Sequence, residues 1–242
     1  MSQTHYVYWI RGEQFIYFAE LSMSSVRRVD PEARIHIWTD EPSSTPRPKD
    51  VAFHTLEPGR PAMVANLDAQ IAALSYLERG DRVLFLDADV LMRRKFPWSL
   101  VPDLYVTWRS HVNDDPELDE FVRAQPYNYG VVGAHVRPST IEAFYWLRYR
   151  ILLMANSKQE WYGNQLALAD LVGAPPREAQ ADKDVRIRWS LEDRGTLLTV
   201  RQLPAQVWNF SPDRIDQDVS EKAILHLKGD RKDLMSHYAE VA

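Results

Sequence analysis

The segment Val83-Leu84-Phe85-Leu86-Asp87-Ala88-Asp89 places four apolar residues directly before two carboxylates. This apolar run follows the turn signal Arg79-Gly80-Asp81 and predicts a strand that is buried on both faces. Side chains at positions i and i+2 of a strand leave the same face, so we expect Asp87 and Asp89 to converge where the strand ends. In open α/β sheets, ligands bind at that end of the strands.

Two converging carboxylates repel each other unless a cation joins them, and hard oxygen ligands suit Mg²⁺ or Mn²⁺. The simpler alternative is a strand that ends in a polar turn, because a motif as short as Asp-x-Asp also occurs by chance. The surrounding sequence is needed to distinguish a cation-binding site from a polar turn.

The segments before this strand alternate between strand and helix patterns. Aromatic and β-branched residues predict strands, and apolar residues at helical spacing predict helices. The predicted order is strand 5–10, helix 15–29, strand 34–38, strand 51–56 and helix 63–77. With the strand before Asp87 as the sixth element, the order is β-α-β-β-α-β. This order is typical of the first half of a nucleotide-binding α/β domain with a mostly parallel sheet.

The second half of the chain has a less regular pattern. Ser139-x-x-Glu142 has the form of a capping box and predicts a helix that begins there and continues to about residue 155. The other predicted elements are strands at 105–109, 128–135, 185–189, 197–200 and 224–227 and a helix at 161–171. No internal repeat or interdomain linker interrupts the chain, so we expect one domain over residues 1–242.

Composition excludes several classes of function. The absence of cysteine excludes disulfides, thiolate zinc sites and cysteine nucleophiles. A net charge of −5 gives no global attraction to nucleic acid or anionic lipid. Neither a signal peptide nor an apolar run of 18 residues is evident, so we expect a cytoplasmic protein without a transmembrane segment. The oligomeric state is not determined by the sequence.

A cluster of cations lies near the C-terminus. Lys228-Gly229-x-Arg231-Lys232 follows the apolar strand pattern at 224–227. Glycine lets the backbone approach an anion closely, and lysine and arginine donate charge-assisted hydrogen bonds to phosphate. The alternative is a solvated basic turn. His226 lies within the strand pattern, and the alternative to a ligand role is that it is an ordinary core histidine.

Five segments of the chain carry a family resemblance. In order they are Val83-Leu84-Phe85-Leu86-Asp87-Ala88-Asp89-Val90, Tyr127-Asn128-Tyr129-Gly130-Val131, Gly163-Asn164-Gln165-x-x-Leu168, Leu203-Pro204 with Trp208-Asn209-Phe210, and His226-x-Lys228-Gly229-x-Arg231-Lys232. With these segments the chain resembles metal-dependent glycosyltransferases of the GT-A fold, particularly the retaining group typified by glycogenin and bacterial lipopolysaccharide galactosyltransferases. The correspondence extends from the first strand to Lys232.

The resemblance implies a Rossmann-like α/β fold with a nucleotide-binding half at 1–92 and an acceptor half at 93–242 that ends in a diphosphate-binding segment. It also implies a nucleoside-diphosphate-sugar donor, with a UDP-sugar favoured. Asp87, Asp89 and His226 would hold the metal, which would bridge the two phosphates. Mn²⁺ is favoured over Mg²⁺ because a histidine ligand is softer than oxygen.

The resemblance also implies binding roles for other residues. Lys228 and Gly229, with Arg231 and Lys232, would bind the diphosphate. Asp40 lies where the family holds the base or ribose, although a turn cap would account for it equally well. Arg60 would point at the donor, unless Gly59-Arg60-Pro61 is merely a loop.

Asn128, Asn164 and Gln165 would face the donor sugar and the acceptor as the catalytic group. The family often has aspartate before the glutamine, and Asn164 replaces it here. Because an amide cannot serve as a carboxylate base or nucleophile, this replacement disfavours a covalent intermediate. A front-face displacement, in which the leaving diphosphate assists the acceptor hydroxyl, needs no carboxylate at that position.

The sequence therefore predicts a transferase that moves a sugar to a hydroxyl acceptor, with retention. One alternative is a sugar nucleotidyltransferase, which would carry a glycine-rich basic loop after its first strand; Ile10-Arg11-Gly12-Glu13 matches that poorly. The other is a non-catalytic nucleotide-sugar-binding module. The acceptor would be a carbohydrate or glycolipid. A modified DNA base is a further alternative, which the acidic net charge disfavours.

Overall fold

A computed structural model describes residues 2–109, 125–173, 183–189 and 196–241. The strands are β1 (Thr4–Trp9), β2 (Arg34–Thr39), β3 (Ala52–Thr55), β4 (Arg82–Leu86), β5 (Val90–Met92), β6 (Leu104–Trp108), β7 (Tyr127–His135), β8 (Lys183–Trp189), β9 (Thr196–Pro204) and β10 (Ile224–His226). The helices are α1 (Ile16–Val29), α2 (Ala62–Tyr76), α3 (Pro138–Leu152), α4 (Asn156–Glu160), α5 (Gly163–Val172), α6 (Ala205–Trp208) and α7 (Met235–Val241). Two 3₁₀ segments, Glu13–Phe15 and Gly229–Leu234, precede α1 and α7.

The main sheet has the strand order β3-β2-β1-β4-β7-β6-β9-β8. The first four strands in this order are parallel, as predicted for a nucleotide-binding half. Beyond β4 the sheet is mixed, since β7 is antiparallel to both β4 and β6, whereas β6 and β9 are parallel. The predicted α/β class with a flanked central sheet is confirmed, and every antiparallel pair among the described strands includes a strand from the second half of the chain.

Helices cover both faces of the sheet, as the apolar spacing of the sequence predicts. On one face α2, α3 and α5 bury residues such as Leu67, Phe144 and Leu168. On the other face α1 buries Met23 and Val26. The sheet is therefore the middle of three layers, and its strand ends are left to form a cleft.

A second, two-stranded sheet brings the C-terminal segment to the end of β4. Strand β10 pairs antiparallel with β5, and this register places His226 opposite Val90. Met235 and Tyr238 of α7 are buried in a separate apolar cluster with Leu91 and Leu225. This packing fixes His226 beside the turn that joins β4 to β5.

The predicted convergence of Asp87 and Asp89 is confirmed, but its local geometry differs from the prediction. Strand β4 ends at Leu86, and the two carboxylates lie in the turn that leads to Val90. The turn still directs both side chains to one place, since their oxygens and a His226 nitrogen lie within 4.8 Å of one another.

The predicted capping box at Ser139 and Glu142 is wrong. Helix α3 begins at Pro138, and no side chain caps its first turn. The Ser139 hydroxyl instead donates to Asp103 Oδ1 at 3.2 Å, and Glu142 accepts a hydrogen bond from Thr196 at 2.7 Å. Both side chains therefore serve tertiary contacts.

The main sheet combines strands from both halves of the chain, and β5 and β10 join the halves a second time. We therefore propose that the chain is a single domain. Within the ranges described above, no helix combines the length and apolar character that a membrane crossing requires.

Candidate active site

Asp87, Asp89 and His226 form a compact group at the end of β4. The His226 Nε2 atom lies 3.1 Å from Asp89 Oδ1 and 3.5 Å from Asp87 Oδ2. The imidazole and the Asp89 carboxylate are buried, whereas Asp87 is partly open to the cleft. Two carboxylate oxygens and one imidazole nitrogen suit a divalent cation such as Mn²⁺, with open positions left for a ligand.

A network behind the ring determines which nitrogen of His226 faces the carboxylates. His226 Nδ1 lies 2.9 Å from Asn209 Oδ1, which also accepts a hydrogen bond from Asn128 Nδ2 at 3.2 Å. Because an amide oxygen only accepts, Nδ1 must carry the proton. In the tautomer with the proton on Nδ1, the Nε2 lone pair is directed at the carboxylates, as a metal ligand requires. Asn209 in turn donates to Thr107 Oγ1 at 2.8 Å.

Gly130 provides the space that this arrangement needs. A Cβ atom built on Gly130 would lie 2.1 Å from His226 Cε1 and 2.8 Å from Asp87 Oδ2. The Gly130 carbonyl also accepts a hydrogen bond from the Asp87 amide at 3.0 Å. Strand β7 therefore forms the floor of the site, and only glycine lets the backbone pass so close to two of its members.

The two carboxylates experience different electrostatic surroundings. Burial and then the like charge of Asp89 raise the pKa of Asp87, although the charges of His226 and Lys228 oppose this shift. Burial alone would also raise the pKa of Asp89. The charges and hydrogen bonds of His226 and Lys232 outweigh that effect and lower the pKa of Asp89 to about 2. Lys232 Nζ lies 3.2 Å from Asp89 Oδ2.

Lys228 adds a second cation to the cleft. Burial and the charge of Arg109 lower the pKa of Lys228 to about 7, and Asp87 and Asp89 oppose this shift. The next residue, Gly229, has a φ of +60°, a left-handed conformation that favours glycine. The site therefore combines two carboxylates with amines from the C-terminal segment, an arrangement suited to a metal-bound polyphosphate.

Three other predicted donor-binding residues are held in ion pairs. Arg231 pairs with Asp213 at the surface, and Arg60 lies 3.6 Å from Glu57. Asp40 is buried at the end of β2, where it pairs with Arg11. The roles predicted for Arg231, Arg60 and Asp40 stay predictions.

The predicted catalytic amides fall into two groups. Asn128 is buried, and its amide is used internally, by Asn209 and by the Gly130 amide at 3.2 Å. Asn164 and Gln165 lie in the first turn of α5, where Asn164 Oδ1 accepts from the Gln165 amide at 2.9 Å. Gln165 Oε1 is buried without a hydrogen-bond partner within the described residues. A buried, unpaired acceptor is costly, so Gln165 is suited to receive a ligand hydroxyl.

The structure adds residues that sequence reasoning missed. Asn66 and Gln70 of α2 line a cavity of about 10 Å³ together with Trp9, Asp87 and Tyr129. Among the described residues, Asn66 Oδ1 is another buried acceptor without a partner, while the Tyr129 hydroxyl donates to Gln70 at 2.9 Å. The sequence signal was two amides four residues apart on the apolar face of a helix. Such a pair faces the same side and needs a polar neighbour.

No protein-family model matches the sequence, and no curated protein is similar to it. The structure is similar to that of galactosyltransferase LgtC in complex with donor and acceptor sugar analogs, with 14% identity and a TM-score of 0.58 over 98% of this chain and 95% of that chain. An active-site mutant of LgtC gives a TM-score of 0.56 at 13% identity.

The glycosyltransferase GlyE of Streptococcus pneumoniae TIGR4 also matches, with 14% identity and a TM-score of 0.58. The match covers 99% of this chain, which spans only 60% of the GlyE chain. These similarities extend over nearly the whole described chain at low sequence identity. The chain therefore has the GT-A fold of these glycosyltransferases, as the sequence motifs predicted.

Proposed function

We propose that this protein is a metal-dependent glycosyltransferase that moves a sugar from a nucleoside-diphosphate-sugar to a hydroxyl acceptor, with retention. The observation that carries the proposal is the group Asp87, Asp89 and His226, with Nε2 directed at both carboxylates. This group lies at the ligand-binding end of β4 in a fold that the glycosyltransferases LgtC and GlyE share.

A divalent cation held by Asp87, Asp89 and His226 would neutralise charge that develops on the leaving diphosphate. The imidazole ligand favours Mn²⁺ over Mg²⁺, and a UDP-sugar is the favoured donor. This preference rests on the ligand type and on the family resemblance of the sequence.

The other residues of the site would bind the donor and balance the charge of its diphosphate. Lys228 and Lys232 would donate charge-assisted hydrogen bonds to the diphosphate oxygens. Gln165 Oε1 would accept a hydrogen bond from a sugar hydroxyl. The acceptor hydroxyl would attack from the side of the departing diphosphate and transfer its proton to a phosphate oxygen. This front-face step requires no carboxylate at Asn164, which is consistent with the amide there.

The structure weakens one alternative. A nucleotidyltransferase would bind triphosphate with the loop after β1, but the Gly12 amide there donates to Thr45 Oγ1 at 3.3 Å. A non-catalytic binding module would need neither an aligned His226 nor the unpaired Gln165 acceptor. The predicted cytoplasmic location and the acceptor class rest on sequence alone.

Hydrolysis of a panel of UDP-, GDP- and dTDP-sugars with and without Mn²⁺ tests the proposal. We expect Mn²⁺-dependent release of a nucleoside diphosphate, and we expect its loss in Asp89→Asn and Asp89→Ala variants that retain their circular dichroism. Asp216→Asn, which alters an exposed ion pair with Arg214, is the matched control and should remain active. Near-wild-type turnover by either Asp89 variant would rule out the metal assignment. Release of pyrophosphate from a nucleoside triphosphate and a sugar phosphate would favour the nucleotidyltransferase.

A further inference from the structure

The loop that joins β5 to β6 presents two neighbouring apolar side chains to solvent. Leu100 is 84% exposed, the largest value among the big apolar residues that the structure describes, and Val101 is 58% exposed. We call these two residues the exposed pair. Isolated apolar residues on a surface are common, so the backbone and the charges around the exposed pair determine whether it has a role.

Side chains from the main sheet and from α3 hold the backbone of this loop. The Tyr105 hydroxyl donates to Ser99 O at 2.8 Å, and His135 Nε2 lies 2.8 Å from the same oxygen. Arg137 donates to Leu100 O at 2.7 Å and, more weakly, to the next carbonyl at 3.4 Å. The loop backbone is therefore fixed from the protein side, and the exposed pair is presented without a further ordering cost.

A cleft of about 940 Å³ adjoins the same loop. Residues 96–98, which come shortly before the exposed pair, form part of its wall, together with three cations: Arg34, Arg82 and Lys95. The Arg82 guanidinium lies over the Trp98 ring, 6.0 Å from the ring centroid. The cations and the exposed pair thus belong to one continuous surface.

The cations of the cleft are available to an anion from outside. Within the part of the chain that the structure describes, Arg34, Arg82 and Lys95 form no ion pair. The cleft also contains Glu32 and Asp30, and the Asp30 carboxylate already accepts a hydrogen bond from a tyrosine hydroxyl at 3.0 Å. Three cations and two carboxylates leave the cleft positive in a protein whose net charge is −5.

The acidic net charge does not prevent a local attraction. At physiological ionic strength the Debye length is about 8 Å, so charges near a bound surface outweigh those farther away. The other cations near this loop are neutralised, because Arg94 pairs with Glu221 and Arg137 pairs with Asp103. The net attraction for an anionic surface therefore comes from the cleft.

The small apolar area favours a lipid bilayer over a protein partner. A stable protein interface buries about 800 Å² on each partner around an apolar centre, whereas this surface offers two apolar side chains beside a group of cations. Contact with an anionic bilayer requires less, because a few apolar side chains enter the headgroup region and each nearby cation adds to the attraction. Trp98 is also of the residue type that is enriched at bilayer surfaces.

We propose that the exposed pair and the adjoining cleft form a docking surface for a bilayer that contains anionic phospholipid. Leu100 and Val101 would enter the headgroup–acyl boundary. Arg34, Arg82 and Lys95 would bind lipid phosphates through charge-assisted hydrogen bonds.

The position of this surface in the fold determines how the bound protein is oriented. Arg82 begins β4, and Asp87 follows the end of that strand. The docking surface therefore lies at the opposite edge of the sheet from the proposed metal ligands. Membrane contact would leave the proposed active site open to solvent, so the inference does not depend on the proposed function.

Co-sedimentation with vesicles tests the proposal without donor, metal or turnover. We expect the protein to bind vesicles of equal parts phosphatidylglycerol and phosphatidylcholine about tenfold or more tightly than vesicles of phosphatidylcholine alone, and high salt should remove this preference. Leu100→Ser and Lys95→Gln should each weaken binding about fivefold or more. Both positions are exposed, so neither change should affect folding.

A control with similar exposure and different charge is available at Ile215. This side chain is 52% exposed and lies beside the Arg214–Asp216 ion pair, which supplies no net charge. Ile215→Ser should bind anionic vesicles as the wild type does. Because the chain has no cysteine, Leu100→Cys can also carry a single environment-sensitive fluorophore. Its emission should shift to the blue with anionic vesicles, and that of a labelled Ile215→Cys variant should not.

Several outcomes would overturn the proposal. They are equal binding to both kinds of vesicle, binding to neither, and unchanged binding by Leu100→Ser. Displacement from vesicles by glycerol phosphate would assign the cleft to a soluble phosphate. Self-association without lipid that Leu100→Ser abolishes, measured by light scattering, would assign the exposed pair to a contact between copies of the chain. Nucleotide-sugar hydrolysis tests the proposed function separately, and Leu100→Ser should leave it unchanged.

Discussion

Asn209 holds His226 from behind, with its amide oxygen 2.9 Å from the Nδ1 atom of the imidazole. Both side chains are buried, at 3% exposure each, so water does not compete for this hydrogen bond. The contact selects the tautomer whose Nε2 lone pair faces Asp87 and Asp89. Asn209 would therefore be a positioning residue for the proposed metal site, one contact removed from a bound cation.

Replacement of Asn209 should weaken metal binding without abolishing the fold. We expect Asn209→Ala to reduce Mn²⁺ affinity about 10- to 100-fold, the usual cost of losing a partner behind a metal-ligating histidine. Asn209→Asp still accepts from Nδ1 and should retain more of the affinity. Electron paramagnetic resonance of free Mn²⁺ measures both. Equal affinities in the two variants would argue against tautomer control.

Substitution at Gly130 should act through the His226 ring. The methyl group of Gly130→Ala would overlap His226 Cε1, so we expect a stability loss of about 1–3 kcal/mol together with loss of Mn²⁺ binding. In a Gly130→Ala, His226→Ala double variant the ring is gone, and most of the stability loss should disappear while metal binding stays absent. Urea denaturation of the two single variants and the double variant measures this coupling. Additive stability losses would contradict the mechanism.

Gln165 should matter more for transfer than for donor binding. Its Oε1 atom is buried and unpaired among the described residues, so a bound sugar hydroxyl is expected to satisfy it. Gln165→Ala should lower kcat by about 10- to 100-fold and change UDP affinity less than threefold. Gln159→Ala is the matched control, because among the described residues the Gln159 amide donates to backbone carbonyls at Leu152 and Met154. An equal loss of UDP affinity would place Gln165 at the diphosphate.

Asn164→Asp should alter donor preference, because it replaces a hydrogen-bond donor by a charge.

Three histidines on neighbouring strands form a hydrogen-bonded chain away from the metal site. His36 of β2 lies 3.0 Å from a His5 nitrogen and 3.2 Å from a His54 nitrogen, and His5 contacts Asp81 at 3.2 Å. Burial, and then the neighbouring His5 and His54, lower the pKa of His36 to about 4. His36 is therefore neutral in the folded protein at neutral pH.

This cluster should make the fold sensitive to mild acid. The unfolded chain binds a proton at His36 near pH 6.5, whereas the folded chain resists it until about pH 4, so stability falls as the pH drops through that window. His36 alone should reduce the free energy of unfolding by about 2 kcal/mol between pH 8 and pH 5. His36→Gln should flatten the pH dependence of urea denaturation between pH 7 and pH 5. An unchanged slope in that variant would assign the acid sensitivity to other groups.

The parts of the fold with strong local patterns were predictable from the sequence. The apolar run before Asp87 is typical of a buried strand, and β4 ends one residue before that carboxylate. The apolar spacing from Met63 to Leu77 likewise gives α2 within a residue at each end. These segments could be assigned because one burial pattern dominates each of them.

What the sequence could not give are contacts between distant segments. Ser139 matches a capping motif, but its hydroxyl instead donates to Asp103, which directly precedes β6. Asn209 lies in one of the family-like segments, but its contact with His226 depends on the packing of β6, β7 and β10 and has no local sequence pattern. The convergence of Asp87 and Asp89 was predicted from the strand pattern before them, and the family resemblance added His226. Gly130 lies in another of the family-like segments, and the structure provides the reason for glycine there.

The pairing of β5 with β10 would couple metal binding to the stability of the folded chain. Two of the proposed metal ligands precede β5 and the third ends β10, so a bound cation would connect segments that are far apart in sequence and adjacent only in the folded state. It would act as a reversible cross-link across most of the chain, and its binding energy would add directly to folding stability. Occupancy of the proposed metal site and retention of the C-terminal strand would thus be one linked equilibrium, and depletion of the cation would loosen the same segment that carries Lys228 and Lys232.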